Sequence, residues 1–163
     1  MSLVTPVHVL NVAQTVGATV HGRAGEYIGR LHDVVARVLE AGDELFPPLT
    51  GLVIRMGGLR THSVFVPWMS VREFGPTGVT LASSRLDLRP FTRRDGELLV
   101  GGDVLDKQVV DVDGRRVVRV NDVQLAPDPR VPGGGRVAAA DISVGSFLAR
   151  VVPRWMEIGR AHV

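Results

Sequence analysis

The stretch Val109–Leu125, VVDVDGRRVVRVNDVQL, decides how the rest of the chain is read. Its Asp113-Gly114 pair is a tight-turn signal, because glycine takes the positive φ that a short hairpin turn needs. Runs of valine flank the pair, so the stretch reads as two short strands around a turn. A looser copy, VHGRAGEYIGRLHDVV, stands far upstream at Val20–Val35. Aligned on Gly25 and Gly114, the copies are 89 residues apart (114 − 25). At that offset, without a gap, Val20 meets Val109, Arg30 meets Arg119, Asp33 meets Asp122 and Val34 meets Val123. Ile28 and Leu31 meet Val117 and Val120. A turn glycine and an aspartate shared in one strand context imply two copies of one supersecondary unit.

The apolar residues Val117, Val118 and Val120 break strict alternation. A β-bulge near Val118–Arg119, and near Gly29–Arg30 in the first copy, accounts for the break. Asp33 and Asp122 then lie where the strand leaves the bulge, where a short carboxylate accepts backbone N–H groups. The structural motif is therefore Gly25, Asp33, Gly114 and Asp122. A second reading makes Asp111 and Asp113, which share a strand face, and nearby Asp122 into hard-oxygen metal candidates. The competing picture is a solvated turn whose charges Arg115 and Arg116 offset. The latter is preferred, and neither a metal nor a cofactor is expected.

Outward from the repeat, strand signals dominate. GLVIRM (Gly51–Met56), HSVFVPW (His62–Trp68), GVTLAS (Gly78–Ser83) and RVAAADISV (Arg136–Val144) are rich in β-branched or alternating apolar residues and bounded by turn residues. Helical signals are sparse. Asp95–Lys107 has room for one or two short turns, and Val144–Met156 reads as a helix start with Ser146 as N-cap and Pro153 ending it. The expected fold is mainly β: two tandem small antiparallel β-barrels with few short helices, one over 7–88 and one over 96–155, joined by an arginine-rich linker at 89–95. Residues 157–163, EIGRAHV, are encodable by the start of a common sequencing-adapter read. They are taken as a non-native tail on a chain truncated near Met156, which leaves the second barrel short of residues to close.

Composition bounds the function. The 163 residues are 45% hydrophobic and 22% charged, a globular profile. There is no cysteine, which removes disulfides and thiolate metal sites. The net charge is +2 with Lys107 the single lysine, so nucleic acid is not the expected partner. No apolar run is long enough to span a bilayer and no secretory signal opens the chain, so a cytoplasmic location is expected. No phosphate-binding loop, dinucleotide fingerprint or zinc-protease motif is present, and the histidines share no metal-ligand spacing. No catalytic residue is assigned, and the chain is not expected to be an enzyme. Arg89, Arg93, Arg94 and Trp155 are the candidate interface residues. The arginines can grip an acidic partner or pair with Asp87, Asp95 and Glu97 in the linker itself.

The segments YIGRLHDVVARV, PPLTGLVIRMGG, VFVPW, LDLRPFTRRDGELLV and DVLDKQVVDVDGRRVVRVNDVQL span most of Gly25–Leu125. Together they resemble the PRC-barrel, the small β-barrel of a photosynthetic reaction-centre subunit and of a ribosome maturation factor. The resemblance is closest to the PRC-like region that precedes the helical and CBS domains of MgtE-type magnesium transporter proteins. It implies a non-catalytic cytosolic interaction or regulatory module, on the cytosolic side of the membrane, packing against neighbouring domains or partner proteins such as MgtE or CBS segments. Transport chemistry does not carry over, since it belongs to membrane helices that this chain lacks. The alternative implied by the resemblance is an RNA- or ribosome-associated adaptor.

Overall fold

Valine, isoleucine and leucine at alternate positions form the strands of this chain, and the two copies of the repeat supply its longest pair. The structure, a computed structural model, describes residues 9–38, 47–110, 117–144 and 147–151. In chain order it runs β1 (Leu10–Asn11), α1 (Val12–Thr15), β2 (Thr19–His21), β3 (Tyr27–Arg37), β4 (Leu49–Met56), β5 (His62–Pro67), a 3₁₀ turn (Trp68–Ser70), β6 (Val71–Gly75) and β7 (Gly78–Leu81). The second half follows with β8 (Glu97–Leu99), a π-helical turn (Val100–Val104), β9 (Gln108–Val110), β10 (Val117–Pro127), β11 (Gly135–Val144) and β12 (Phe147–Val151). The protein is mainly β. Its ladders are a seven-stranded sheet, β5-β4-β3-β2-β7-β6 with β8 on β3, and a five-stranded sheet, β1-β10-β11-β12 with β9 on β10. Neither ladder closes on itself among the described residues, so the barrel form expected from the sequence is not what these pairings give.

Hydrogen bonding reproduces the repeat residue by residue. Gly17 donates to the Leu31 carbonyl and Asp106 to the Val120 carbonyl, both at 2.8 Å. Leu31 donates to Ala18 and Val120 to Lys107; Val16 donates to Val12 and Leu105 to Gly101. Every one of these pairs matches at the 89-residue offset. So do the bulges, at Leu31–Asp33 on β3 and Val120–Asp122 on β10. In the first copy a register shift does adjoin Gly29, between Tyr27 and Gly29 opposite Val20–His21, while the β9–β10 ladder runs evenly past Val118–Arg119. The bulges that the two copies share sit two residues beyond the positions expected from the apolar pattern, which places each aspartate at the bulge itself. β4 and β11 then follow at an offset of 88 (Val34 pairs Leu52, Val123 pairs Ala140).

Sheet membership does not follow chain order. β1, from the first half, pairs with β10 of the second (Leu10 with Leu125), and β8, from the second, pairs with β3 of the first (Leu99 with Val35). Each half thus sends its opening strand and helical turn into the sheet of the other. Buried side chains from both halves, including Val12, Leu31, Leu52, Val100, Val120 and Leu125, belong to one hydrophobic cluster. The division at 89–95 separates two copies in sequence, while the arms cross it in space.

The helix expected over Val144–Met156 does not form across Phe147–Val151, which is β12 paired to β11. A hairpin partner is available there to satisfy the backbone, and it overrides a weak helical preference. Between Asp95 and Lys107 the expected short turn is present, as the π-helical turn.

Candidate functional site

The aspartates of the repeat carry the densest polar contacts between the halves. Asp33 is 4% exposed, and its two oxygens accept N–H groups from Gly101 (2.6 Å), Gly102 (2.8 Å) and its own neighbour Val34 (2.7 Å). The two glycine donors belong to the start of the π-helical turn, where N–H groups lack partners within the turn. Gly-Gly is needed there because a Cβ on Gly101 would lie 2.9 Å from the Asp33 carboxylate. Asp122 does the reciprocal job. It accepts from Ala13 of α1 (3.0 Å) and from Val123 (2.7 Å). Asn11, at the N-cap position of α1, makes no side-chain cap, so the cap arrives from the other half. Burial pushes the Asp33 carboxyl above the usual carboxylate range, against the pull of the N–H donors. The chemistry of both carboxylates is thereby taken up in ordering backbone.

Gly25 sits in the turn before β3 with φ of 88°, in the left-handed region. Gly114, Asp111 and Asp113 lie outside the described residues, as does Trp155. Among the described residues no three metal-ligating side chains are grouped, and Asp122 is bonded to backbone N–H as above. No helix among them is long and apolar enough to cross a membrane. The linker arginines are internally paired: Arg89 with Asp87, Arg93 with Asp103 at 3.0 Å and Arg94 with Glu97 at 3.5 Å. Arg94 also lies 5.1 Å from the Phe65 ring, which stacks with Phe91. Of these acids, Asp87 and Glu97 were among the partners expected from the linker, whereas Asp103 lies in the exchanged arm.

What sequence reasoning missed is a cleft where the halves meet. Pro48 and Arg136 form an antiparallel bridge, and they are equivalent residues of the two copies at the 88-residue offset (136 − 48). The local two-fold relation between the halves therefore passes through this bridge. Beside it, Trp68 is nearly buried against Phe74, and its Nε1 donates to the Gly133 carbonyl at 3.1 Å. The loop that supplies this carbonyl is held by Asp128, which accepts from the Arg130 backbone and guanidinium. The Arg130 guanidinium lowers the Asp128 pKa below the usual range. Gly135 lets the loop close onto the ring, because a Cβ there would lie 2.9 Å from both Trp68 and Leu49. A cavity of about 220 Å³ remains among Pro48, Leu49, Trp68, Met69, Val131 and Gly135. Met69 at its rim is 74% exposed and Val131 is also exposed. An open, largely apolar hollow of this size accommodates one large side chain, below the range of most small-molecule pockets. The sequence signal was Trp68, a candidate anchor readable as core or barrel rim at the end of VFVPW, and the triple glycine Gly133–Gly135, which reads only as loop; nothing in the sequence brings them together.

No family model matches this chain, and no curated protein matches it either.

Proposed function

We propose that this protein is a non-catalytic docking scaffold of the PRC-barrel type, with each half descended from one small barrel unit. The observation that carries the proposal is the cleft beside Trp68. It is built jointly by both halves, walled by apolar side chains and edged by the exposed Met69. Exposed apolar side chains around a well-packed aromatic fit a site that receives a partner's side chain. The nearby charge, Asp128, is neutralised by Arg130 in holding the loop. The resemblance of Gly25–Leu125 to the region preceding MgtE and CBS domains makes the partner a cytosolic segment of an MgtE-type transporter or a CBS-containing regulator, and the location the cytoplasm.

The test is titration of the chain with the cytosolic helical and CBS segments of an MgtE-type transporter from the same source. Binding is expected, and Met69→Asp should weaken it at least about tenfold, the effect of placing a charge in an apolar contact. Absence of binding, with co-sedimentation of the chain on ribosomes, overturns this reading in favour of the adaptor alternative.

A further inference from the structure

A second surface, remote from the Trp68 cleft and independent of what fills it, lies at one end of the seven-stranded sheet. Three segments converge there. The turn between β2 and β3 (residues 22–26) carries Arg23. The hairpin between β4 and β5 (residues 57–61) carries Leu59 and Arg60. The linker residues 82–90 run from the end of β7 to the start of β5. Contacts fix this convergence: Ser84 donates to Glu26 in the first turn, and Pro90 bridges Val64 near the start of β5.

Two properties coincide at this end. The first is apolar exposure. Leu59 is 108% exposed, standing clear of the protein on a tip where Gly57 has φ of 96°. Tyr27, which opens β3, is 62% exposed, and Leu88 of the linker is 60% exposed. The second is uncompensated charge. Arg23, Arg55, Arg60 and Arg85 are all exposed, and none forms an ion pair among the described residues. Arg55 faces another arginine, Arg30, directly across the β3–β4 ladder. The acids at this end are Glu26, bonded to Ser84 and to the Ala24 N–H, Asp87, which Arg89 neutralises, and exposed Glu73, in the ladder row of Thr80, His21 and Tyr27. The four arginines, with Arg30 and Arg89, outnumber these acids. For a chain whose net charge is +2, this is a local concentration of positive charge.

We infer that this end is a docking face for an anionic lipid bilayer, with Leu59 and Tyr27 entering the headgroup layer and the arginines meeting lipid phosphates. Arginine near an anionic leaflet gains from its surface potential, and protruding apolar side chains gain by leaving water at the interface. Single-stranded nucleic acid would also attract the arginines, but it is held by aromatic platforms on which bases stack. Here the projecting groups are two leucines and one tyrosine, which favours lipid.

The test uses the full chain and vesicles of phosphatidylcholine with or without phosphatidylserine, read by co-sedimentation. Binding is expected with phosphatidylserine and not without it, falling as salt is raised. Arg55→Gln with Arg60→Gln should weaken binding about 25-fold, roughly fivefold per arginine, and Leu59→Ser about tenfold. All three side chains are exposed, so unchanged thermal unfolding should accompany these losses. The inference is overturned if the chain ignores phosphatidylserine vesicles, binds phosphatidylcholine equally, or binds as tightly with these substitutions. It is equally overturned if single-stranded RNA binds through the same arginines, indifferent to Leu59→Ser, while vesicles do not.

Discussion

The two halves hold the same device at the same offset, yet they hold it with different force. In the first half, Asp33 is buried, lies opposite Val53 on the neighbouring strand and accepts from both glycines of the incoming turn. In the second, Asp122 is half-buried, lies opposite another carboxylate, Asp141, and accepts a single N–H from the incoming helix. Like charges facing each other across a ladder are unfavourable, and a cap near water replaces hydrogen bonds that water would otherwise supply. One exchange is therefore locked by a desolvated carboxylate, and the other is only tied. The repeat carries the symmetry, and burial breaks it.

Replacing the two aspartates exposes this asymmetry most directly. Asp33→Ala leaves the N–H groups of Gly101 and Gly102 without acceptors in a part-buried site, and the expected loss is about 3 kcal/mol of folding free energy. Asp122→Ala removes one cap and relieves Asp141, so about 1 kcal/mol is expected. Urea denaturation of both variants checks the difference. Equal losses would mean that the second exchange is as dependent on its carboxylate as the first.

A pH titration sharpens a second contrast, between Asp33 and Asp128. The Asp33 pKa is raised in the folded chain by burial, so the folded state binds its proton more readily than the unfolded one. Its contribution is most favourable below the ordinary aspartate value of about 4 and declines as pH rises through its raised value. Asp128, lowered by Arg130, behaves oppositely. Its contribution is present above the ordinary value and is lost as pH falls through the lowered one. One proton sets a ceiling of about 1.4 kcal/mol per pH unit on either slope. Relative to wild type, Asp33→Asn should make stability rise more steeply with pH above about 4. Asp128→Asn should make stability fall less on acidification. Denaturant midpoints across the acid range give both slopes, and like-signed changes would refute the contrast.

Much of this comparison was legible in the sequence. The offset of 89 located both bulged strands, because a turn glycine and a strand aspartate leave a fixed trace. The tendency of these aspartates to take backbone N–H groups also follows from residue type. The donors did not follow. Gly101-Gly102 and Ala13 are distant from Asp33 and Asp122 in sequence, and nothing in a propensity pattern says that an opening strand leaves its own half. The mainly β character was legible, but the unclosed ladders of the described residues were not, since strand type is a local property while sheet membership is set by long-range pairing. Trp68 was readable as core or rim, but its partner Gly133 came from a loop whose composition signals turn and nothing more. Among the arginines, local pairing was visible for Arg89 and Arg94, whose acids lie two and three residues away. It was hidden for Arg93, whose partner Asp103 belongs to the exchanged arm.

The smallest expected effect concerns the corner after each helical turn, where the halves use different residues for one backbone shape. Gly17 has φ of 88° and Asp106 has φ of 61°. Both donate to the long strand, and each is met by the matching arginine: Arg30 at the Gly17 carbonyl, Arg119 at the Asp106 carboxylate, both at 2.9 Å. A left-handed residue with a Cβ costs roughly 1 kcal/mol or more, less for Asp than for most. No atom crowds a Cβ at Gly17, so Gly17→Ala isolates that backbone cost and should destabilise by about 1 kcal/mol. Asp106→Gly relieves the strain but loses an exposed ion pair and loosens the unfolded chain, terms that offset to within about 0.5 kcal/mol. Thermal melts of the two variants distinguish the cases. A large loss in Asp106→Gly would show that the Arg119 contact, and not the backbone shape, is what the second half keeps at this corner.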